Sequence, residues 1–261
     1  MPEILTIKQD PVLQIGELQF SEDEIAAEPY LRRASPEFAH DVGGPITKRF
    51  VELADKAGRI QPGSLVRSQR TPFVEGSYPT PPQWHFDFIP GVQPSCYESL
   101  NRAIYSNTGL IVCLFDQELH PDDTGTLFLA DGEVMLDLDK RDEQNEYVPG
   151  KNFADGTKGG HVYWWDPQTR RQIAAGDIAT TPLVPGGVYG YASHNMHHVS
   201  QMRSSFGSRM LLRMNNPTDP EFIIVPENKA IFPGDDNYPA YVFNAVDPIR
   251  WVRRTVLAKA S

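Results

Sequence analysis

The segment that decides the fold is residues 208–215, with the sequence SRMLLRMN. Its apolar residues and two arginines suit a β-strand, in which side chains two or four positions apart point to the same face. Arg209 and Arg213 therefore share one face of the predicted strand. A guanidinium inside a sheet is costly unless it meets a planar anion, and a carboxylate can accept two parallel hydrogen bonds from it. The segment thus predicts a strand that presents arginine to a bound acid.

Strand patterns recur through most of the chain. Short runs of apolar, β-branched and aromatic residues, several with alternating polarity, are separated by turn residues, and 20 Gly and 23 Pro are spread along the 261 residues. This pattern predicts a mainly β (α+β) protein, a predominantly antiparallel sandwich or jelly roll with helices packed outside. The predicted strands are residues 64–70, 109–115, 125–129, 134–138, 161–165, 178–184, 187–191, 209–214 and 222–225.

Helices are predicted at two places. Residues 45–57 carry apolar side chains at helical spacing, begin with a proline that a first turn tolerates, and are followed by Gly58 as a helix stop. Residues 247–259 begin with a capping Asp and are predicted to form a closing helix. No composition shift marks a boundary, so residues 1–261 are expected to form one domain. Its expected parts are a helical N-terminal extension (1–63), a core (64–215) with an insertion near 116–160 that is either a lid or a surface excursion, and a C-terminal extension (216–261).

Composition narrows the function classes. The chain has 24 Lys and Arg against 34 Asp and Glu, a net charge of −10, so it lacks the positive field that collects nucleic acid or anionic lipid. Cys96 and Cys113 are too few for a disulfide framework or a zinc ribbon. Neither a leader peptide nor a membrane span is evident. We expect a soluble, cytoplasmic protein with a small-molecule partner, in which any metal is bound by His and carboxylates.

A His-x-Asp motif lies in residues 81–90, PPQWHFDFIP. His85 and Asp87 are two residues apart, so in an extended backbone an imidazole and a carboxylate project from one face and can meet one metal ion. Because so short a pattern often arises by chance, it needs support from elsewhere in the chain.

That support comes from three histidines within five residues in the segment 186–200, GGVYGYASHNMHHVS. His194, His197 and His198 lie more than a hundred residues after His85, which suits a site where two distant strands converge. Two His and one carboxylate on one face of a metal leave its other positions open, the arrangement found in non-haem Fe(II) oxygenases. Zinc accepts the same ligands, so the donor types alone do not decide the metal.

The order of these motifs resembles that of the Fe(II)- and 2-oxoglutarate-dependent oxygenases. The matching motifs are His85-x-Asp87, His197-x-Val199 and Gly207-x-Arg209. The resemblance covers roughly residues 64–215 and implies a double-stranded β-helix (jelly-roll, cupin-like) core. It also implies that His85, Asp87 and His197 bind iron and that Arg209 pairs with the far carboxylate of 2-oxoglutarate.

The choice among the three histidines stays open in the sequence. The family commonly shows the iron ligand two residues before an apolar residue, which favours His197 because Val199 follows it at that distance. His198 is the first alternative and His194 the second.

The sequence also leaves open which arginine pairs with the carboxylate of 2-oxoglutarate. Arg209 lies twelve residues after His197, within the family's usual separation, whereas Arg213 lies sixteen residues after it and is the alternative. The family often places a Ser or Thr two residues beyond the arginine, but Leu211 stands there in this chain.

The resemblance implies a dioxygenase that uses Fe(II), 2-oxoglutarate and O2. It would hydroxylate, desaturate or cyclise an unactivated C–H bond while 2-oxoglutarate is decarboxylated to succinate. Halogenating relatives have a small residue at the carboxylate position, whereas Asp87 fills it here, so halogenation is not expected. An acidic chain suits a small metabolite, such as an amino acid or a natural-product intermediate, better than DNA or histone tails.

Candidate substrate-pocket residues flank the motifs. Aromatic side chains could wall a dry cavity, and a polar cluster shortly before His85 could bind an anionic group of the substrate. Ordinary core packing and a solvated strand face are the alternatives for these two groups. The candidates are Arg67, Arg70, Trp84, Phe86, Tyr105, Trp164 and Trp165.

Two other functions stay open. One is a cupin-like metalloenzyme, an isomerase or a dioxygenase independent of 2-oxoglutarate, which would use His85 with one of the later histidines. The other is a non-catalytic carbohydrate-binding β-sandwich in which aromatic residues stack on sugars. Of the three functions, the 2-oxoglutarate oxygenase alone requires a buried carboxylate partner for the arginine after the histidine cluster.

Overall fold

The computed structural model of the chain describes residues 3–76, 78, 84–86, 105, 107–121, 123, 126–129, 132–140, 165–218, 220, 223–235, 238, 241–243 and 251–253. This part is mainly β, and its strand pairs are antiparallel. The strands are β1 (Ile4–Gln9), β2 (Leu13–Glu17), β3 (Tyr30–Arg32), β4 (Leu65–Val74), β5 (Asn107–Phe115), β6 (Leu127–Leu129), β7 (Gly132–Asp137), β8 (Thr180–Pro182), β9 (Gly187–Ala192), β10 (His197–His198), β11 (Phe206–Pro217), β12 (Lys229–Ile231), β13 (Tyr241–Phe243) and β14 (Trp251–Arg253). The helices are α1 (Glu22–Ala27), α2 (Pro36–Val42), α3 (Pro45–Lys56) and α4 (Asp166–Ala175), and none in the described ranges is long and apolar enough to cross a membrane.

The largest sheet has five strands in the order β2-β9-β5-β11-β4. Strand β11 lies between β5 and β4, and its side chains alternate as the sequence predicts. Met210, Leu212 and Met214 are buried on one face in a cluster with residues of the N-terminal helices. Arg209 and Arg213 project from the opposite face, which we call the inner face.

A three-stranded sheet, in the order β10-β6-β8, packs against the inner face. The contact is a buried cluster formed by Ile111, Tyr189 and Tyr191 of the larger sheet with Phe128 of β6 and Leu183. Two antiparallel sheets therefore enclose a common interior, and the helices lie on the outer side of the larger sheet. A double-stranded β-helix stays a prediction.

The first 63 residues contribute strands as well as helices. Strand β1 pairs with β7, and β2 extends the large sheet beside β9. The sequence ILTIKQ of β1 alternates exposed and buried side chains, a period-two signal that the sequence-based prediction misses. The N-terminal region thus packs into the sheets that carry the later motifs.

Strands β4 to β9, strand β11 and helix α3 confirm their predictions, whereas the strand predicted at 222–225 and the helix predicted at 247–259 are wrong where the structure describes them. Of the strand predicted at 161–165, the structure describes only Trp165. Residues 223–225 form no strand, and 81% of Val225 is exposed, so its side chain is not buried as a strand of the core would require. Trp165 lies in a turn, because it is the residue directly before α4. Pro167, in the first turn of that helix, favours a helix start at this position. Residues 251–253 form β14, which pairs with β13, rather than a helix. The other residues of the predictions for 161–165, 222–225 and 247–259 lie outside the described residues.

The start of α3 is capped by a buried carboxylate from outside the helix. Glu28 accepts hydrogen bonds from the backbone N–H groups of Gly44, Ile46 and Thr47 at 3.2, 2.6 and 3.1 Å, and from Thr47 Oγ1 at 2.6 Å. These N–H groups are donors that a helix N-terminus leaves unpaired. Burial raises the pKa of the Glu28 carboxyl, and the four hydrogen bonds oppose that shift.

Glu28→Ala is expected to lower the free energy of unfolding by about 2 kcal/mol, because the N–H groups at the start of α3 lose their acceptor. Since the raised pKa makes the folded state bind the Glu28 proton more tightly than the unfolded state, this group's contribution to stability falls as pH rises above 4.5 through the folded pKa. In Glu28→Ala this pH-dependent contribution to the free energy of unfolding should be absent. Urea unfolding at several pH values measures both effects. Glu37→Ala, at an exposed position in the first turn of α2, is the control, and an equal loss in both variants would contradict the capping assignment.

Candidate metal and cosubstrate site

The structure brings His85 and His197 together. Their backbones form an antiparallel bridge in which each N–H donates to the other residue's carbonyl, at 3.0 and 2.9 Å. Directly opposed residues of such a pair project from the same face, and the centroids of the two imidazole rings are 4.4 Å apart. Two imidazoles this close on one face are placed to share a metal ion.

His197 is buried in the interior between the two sheets. Its ring lies 4.9 Å from that of Phe128 and 6.3 Å from that of Tyr191, measured between centroids. Its Nδ1 lies 3.2 Å from the carbonyl oxygen of Asn195. Because a carbonyl can only accept, Nδ1 donates in this contact and Nε2 keeps the lone pair that a metal requires.

His198 points to the other side of β10. Its ring packs edge-on against Trp84 with 4.3 Å between centroids, and within the described part of the chain its buried Nδ1 has no hydrogen-bond partner. Burial, with the charge of Arg170 as a smaller cause, lowers the pKa of His198 to about 3. His198 is therefore a neutral ring in a packed cluster, away from the face that carries His85.

His194 is engaged elsewhere. Its Nε2 lies 2.9 Å from Asp10 Oδ2, and its ring lies 4.7 Å from that of Tyr105. Burial lowers the pKa of His194, and the neighbouring carboxylate of Asp10 opposes the shift. Of the three histidines in the cluster, His197 is thus the one that shares a face with His85.

Asp87, the expected third iron ligand, lies outside the described residues. Among the residues that are described, no group of three or more His, Cys, Asp or Glu side chains could hold a metal ion. The complete ligand set of His85, Asp87 and His197 therefore stays a prediction, of which the structure brings two members together.

Arg209 is buried on the inner face, with 2% of its surface exposed. Its Nη2 donates to Thr126 Oγ1 at 2.8 Å and lies 3.3 Å from Cys113 Sγ. Its Nε is buried without a hydrogen-bond partner, and no carboxylate pairs with it in the described ranges. The guanidinium therefore retains donor capacity for a planar anion.

Strand β6 connects the arginine to the histidine pair. Phe128 lies opposite His197 in the β10–β6 register, and Thr126, which contacts Arg209, precedes Phe128 by two residues. Thr126 continues the strand, because its carbonyl accepts a hydrogen bond from the Leu183 N–H at 2.9 Å. Residues two apart in a strand share a face, with Cα atoms about 7 Å apart. Arg209 and the histidine pair therefore face one interior.

The sequence alone does not predict which residues surround Arg209 and the His85–His197 pair. Thr126, Phe128 and Tyr191 carry no local motif, because their positions depend on pairing between strands far apart in the chain. Cys113 lies in the apolar run 109–115, which predicts a core position, and the residue is buried. Its contact with Arg209 could have been anticipated only from the β5–β11 register, in which it lies opposite Leu211.

The start of α4 binds the segment that carries His85, on the edge opposite to the one that pairs with β10. The buried Asp166 carboxylate accepts a hydrogen bond from the Trp84 N–H at 2.7 Å and pairs with Arg170 Nε at 2.9 Å. The indole N–H of Trp165 donates to the Trp84 carbonyl at 2.9 Å. Side chains thus provide on this edge the hydrogen bonds that a neighbouring strand would give.

Asp166→Asn is expected to weaken Mn(II) binding about tenfold, as loss of outer-sphere support for a metal ligand commonly does. An amide cannot accept from both Trp84 and Arg170 as the carboxylate does, so the His85 segment loses its fixed position. Titration calorimetry measures the affinity. Asp177→Asn, just beyond α4 and exposed, is the matched control. Equal affinities for Mn(II) in the two variants would show that Asp166 does not support the site.

The aromatic pocket candidates near His85 are placed in a separate cluster. Trp84 and Phe86 alternate with His85 and point to the opposite side, where they pack with Trp165. All three are buried, so they offer no exposed face for stacking on a sugar.

The remaining pocket candidates are scattered. Arg70 pairs with Asp116 at 3.3 Å and projects from the face of β4 opposite to Arg67. Tyr105 is 44% exposed and lies against His194. Trp164 lies outside the described residues. Of the three candidates that the structure describes here, Arg67 lies on the inner face.

Comparison with known proteins gives weak structural likenesses only. No protein-family model and no curated protein matches the chain. Among solved structures, an N-substituted L-amino acid dioxygenase from Burkholderia ambifaria is 12% identical with a TM-score of 0.35, covering 79% of this chain and 76% of its own. A non-heme monooxygenase, ThoJ in a nickel complex, is 12% identical with a TM-score of 0.33, covering 97% of this chain and 88% of its own. Similarities of this size do not establish a common fold, so neither activity is transferred to this protein.

Proposed function

We propose that the protein is an Fe(II)- and 2-oxoglutarate-dependent oxygenase that hydroxylates an unactivated C–H bond of a small molecule. The observation that carries the proposal is the buried Arg209 guanidinium, whose Nε has no hydrogen-bond partner in the described part of the chain. A buried cation without an anion is unfavourable, so an anionic ligand at Arg209 accounts for its placement. The interior that holds this cation also holds the His85 and His197 pair.

The residues present fit an iron ion. His85 and His197 supply two imidazoles on one face, and Asp87 is proposed as the third ligand. Such a donor set suits Fe(II) and leaves coordination positions open. When bound, iron supplies the oxidative chemistry, in which O2 converts 2-oxoglutarate to succinate and CO2 and oxidises the substrate. The Asn195 carbonyl orients the His197 ring for this purpose.

Arg209 and Thr126 are proposed to hold the far carboxylate of 2-oxoglutarate. The guanidinium pairs with the carboxylate, and the Thr126 hydroxyl lies within 2.8 Å of Nη2, where it can donate to the same group. Leu211 occupies the position at which the oxygenase family often has a hydroxyl residue. In this chain we propose that Thr126, the residue before β6, supplies that hydroxyl from across the interior.

The surroundings keep the site dry. Phe128 and Tyr191 pack on His197, and Ile111 joins them in one buried cluster. Excluding water protects a reactive site and strengthens the pairing of Arg209 with an anion. Because Asp87 fills the carboxylate position, the proposed outcome is hydroxylation, or a related desaturation or cyclisation, rather than halogenation.

The proposed substrate is a small metabolite, an amino acid or a natural-product intermediate, processed in the cytoplasm. The preference rests on the acidic composition, with 34 Asp and Glu against 24 Lys and Arg, which disfavours nucleic acid and anionic membranes.

Succinate formation tests the proposal. The purified protein with Fe(II), 2-oxoglutarate and O2 is expected to release succinate slowly even before a substrate is found, and to release none when Zn(II) replaces iron. Glutarate, which lacks the keto group, serves as the unreactive control. A protein that binds neither Fe(II) nor 2-oxoglutarate would contradict the proposal.

A further inference from the structure

Cys113 is the one residue of the buried run 110–115 in β5 whose side chain carries a hydrogen-bonding atom. The run has the sequence LIVCLF, and the structure buries all six of its residues. Cys113 lies on the inner face with Ile111 and Phe115, and Phe115 stands directly opposite Arg209 in the β5–β11 register. The inner face of β5 therefore places a thiol, rather than another apolar group, next to the buried guanidinium.

The thiol contacts both side chains that are proposed to hold the far carboxylate of 2-oxoglutarate. Cys113 Sγ lies 3.3 Å from Arg209 Nη2 and 3.2 Å from Thr126 Oγ1. Because a guanidinium can only donate, Sγ accepts in the contact with Nη2. Nη2 also donates to Thr126 Oγ1 at 2.8 Å. The three atoms form a closed triangle, in which Cys113 and Thr126 are the acceptors of one guanidinium nitrogen.

The two acceptors anchor the guanidinium at one of its nitrogens. Both contacts of Arg209 are made by Nη2, whereas its buried Nε has no hydrogen-bond partner in the part of the chain that the structure describes. A guanidinium binds a carboxylate through two parallel N–H groups, so the plane of the group must be held at a fixed angle. An arginine side chain has many rotamers, and two acceptors at Nη2 restrict rotation of this plane.

Core packing alone does not account for the thiol at this position. An apolar side chain at position 113 would fill similar space, as its neighbours in the run do, but it would leave a hydrogen of Nη2 without an acceptor in the interior. An unpaired buried donor is unfavourable, the more so when it is charged. The thiol supplies an acceptor that is compatible with an otherwise apolar strand.

We infer that Cys113 is a positioning residue, which holds the Arg209 guanidinium in the orientation that binds the far carboxylate of 2-oxoglutarate. The inference rests on the proposed function, because it concerns the same cosubstrate site. Cys113 acts through Arg209 and needs no contact with the cosubstrate. Its loss therefore weakens the recognition of the far carboxylate and leaves the binding of the keto acid end unchanged.

A double-mutant cycle tests the contact between Cys113 and Arg209 without any ligand. Urea unfolding is measured for wild type, Cys113→Ala, Arg209→Met and the variant with both changes. Because one contact can be lost only once, the effect of the two changes together should differ from the sum of the separate effects. Additive effects would overturn the inference, whether or not the protein binds 2-oxoglutarate.

Selectivity between two keto acids tests the positioning. 2-Oxoglutarate and 2-oxobutyrate share the keto acid end, and only 2-oxoglutarate has a far carboxylate. In the Mn(II)-loaded protein, Cys113→Ala is expected to lower the ratio of the two affinities about tenfold, because a misaligned guanidinium loses part of a charge-assisted contact. Cys113→Ser keeps an acceptor for Nη2, so its ratio should stay within about threefold of that of wild type.

Val112→Ala is the matched control. Val112 is the neighbouring residue of β5 and is buried on the opposite face, in the cluster with the N-terminal helices. This change should lower the free energy of unfolding and leave the ratio of affinities unchanged. Circular dichroism confirms that each variant is folded.

Three results in the titration would overturn the inference. They are an unchanged ratio in Cys113→Ala, an equal loss of selectivity in Cys113→Ala and Val112→Ala, and a loss in Cys113→Ser as large as that in Cys113→Ala. A wild-type protein with no preference for 2-oxoglutarate would contradict the proposed function and with it the inference. A selective wild-type protein whose selectivity survives in Cys113→Ala would contradict the inference alone.

Discussion

His197→Ala is expected to abolish tight Fe(II) binding and oxygenase activity, whereas His198→Ala retains both. The affinity loss for His197→Ala should exceed about 100-fold, the upper range for outer-sphere partners, because a direct ligand is removed. The physical reason is the alternation along β10. His197 faces the His85 ring at 4.4 Å, and His198 packs against Trp84 on the other side.

His198→Ala is the matched control for this prediction. It removes the same side chain one residue away and creates a void beside Trp84, so we expect a loss of stability of about 1–3 kcal/mol with metal affinity nearly unchanged. Anaerobic titration with Fe(II) and urea unfolding separate the two effects. If His198→Ala loses iron and His197→Ala keeps it, the assignment of the ligand is wrong.

Arg209→Met is expected to weaken 2-oxoglutarate binding about 30-fold or more, because truncating one partner of a buried charge pair commonly costs about 2–5 kcal/mol. The variant should also lose selectivity. Wild type is expected to prefer 2-oxoglutarate strongly over 2-oxobutyrate, which has the same keto acid end but lacks the far carboxylate. In Arg209→Met the two ligands should bind with similar affinity, since nothing then recognises that carboxylate.

Arg70→Met provides the control for charge removal on a neighbouring strand. Arg70 is half-buried and paired with Asp116, so its loss should leave the preference for 2-oxoglutarate intact. Titration of the Mn(II)-loaded proteins with both keto acids measures the ratio without turnover. If Arg209→Met keeps the wild-type ratio of affinities for the two keto acids, another cation binds the far carboxylate, and Arg213 is the first candidate.

The sequence predicts the central strands because their signal is local. Residues 208–215 form a mainly apolar run with two arginines four residues apart. Strand β11 places Met210, Leu212 and Met214 on one face and Arg209 and Arg213 on the other. Helix α3 is equally well marked by its apolar spacing and its N-terminal proline. Short strands are harder to predict. β14 has three residues, and its hydrogen-bond partner β13 cannot be inferred from its own composition.

The histidine assignment shows what sequence can and cannot decide. The spacing to Val199 favours His197, and the alternation of β10 separates His197 from His198, but the sequence does not say which face turns towards His85. That choice follows from the backbone bridge between residues more than a hundred positions apart. The same holds for Thr126, whose contact with Arg209 exists only because β6 and β11 face each other across the interior.

Anaerobic addition of Fe(II) and then 2-oxoglutarate is the most direct test of the central claim. A single site built from His85, Asp87 and His197, with Arg209 beside it, should bind both and give a weak visible charge-transfer band. The band should be absent in His197→Ala, present in His198→Ala, and require far more 2-oxoglutarate in Arg209→Met. Saturating Fe(II) and 2-oxoglutarate with no band in wild type would contradict the account.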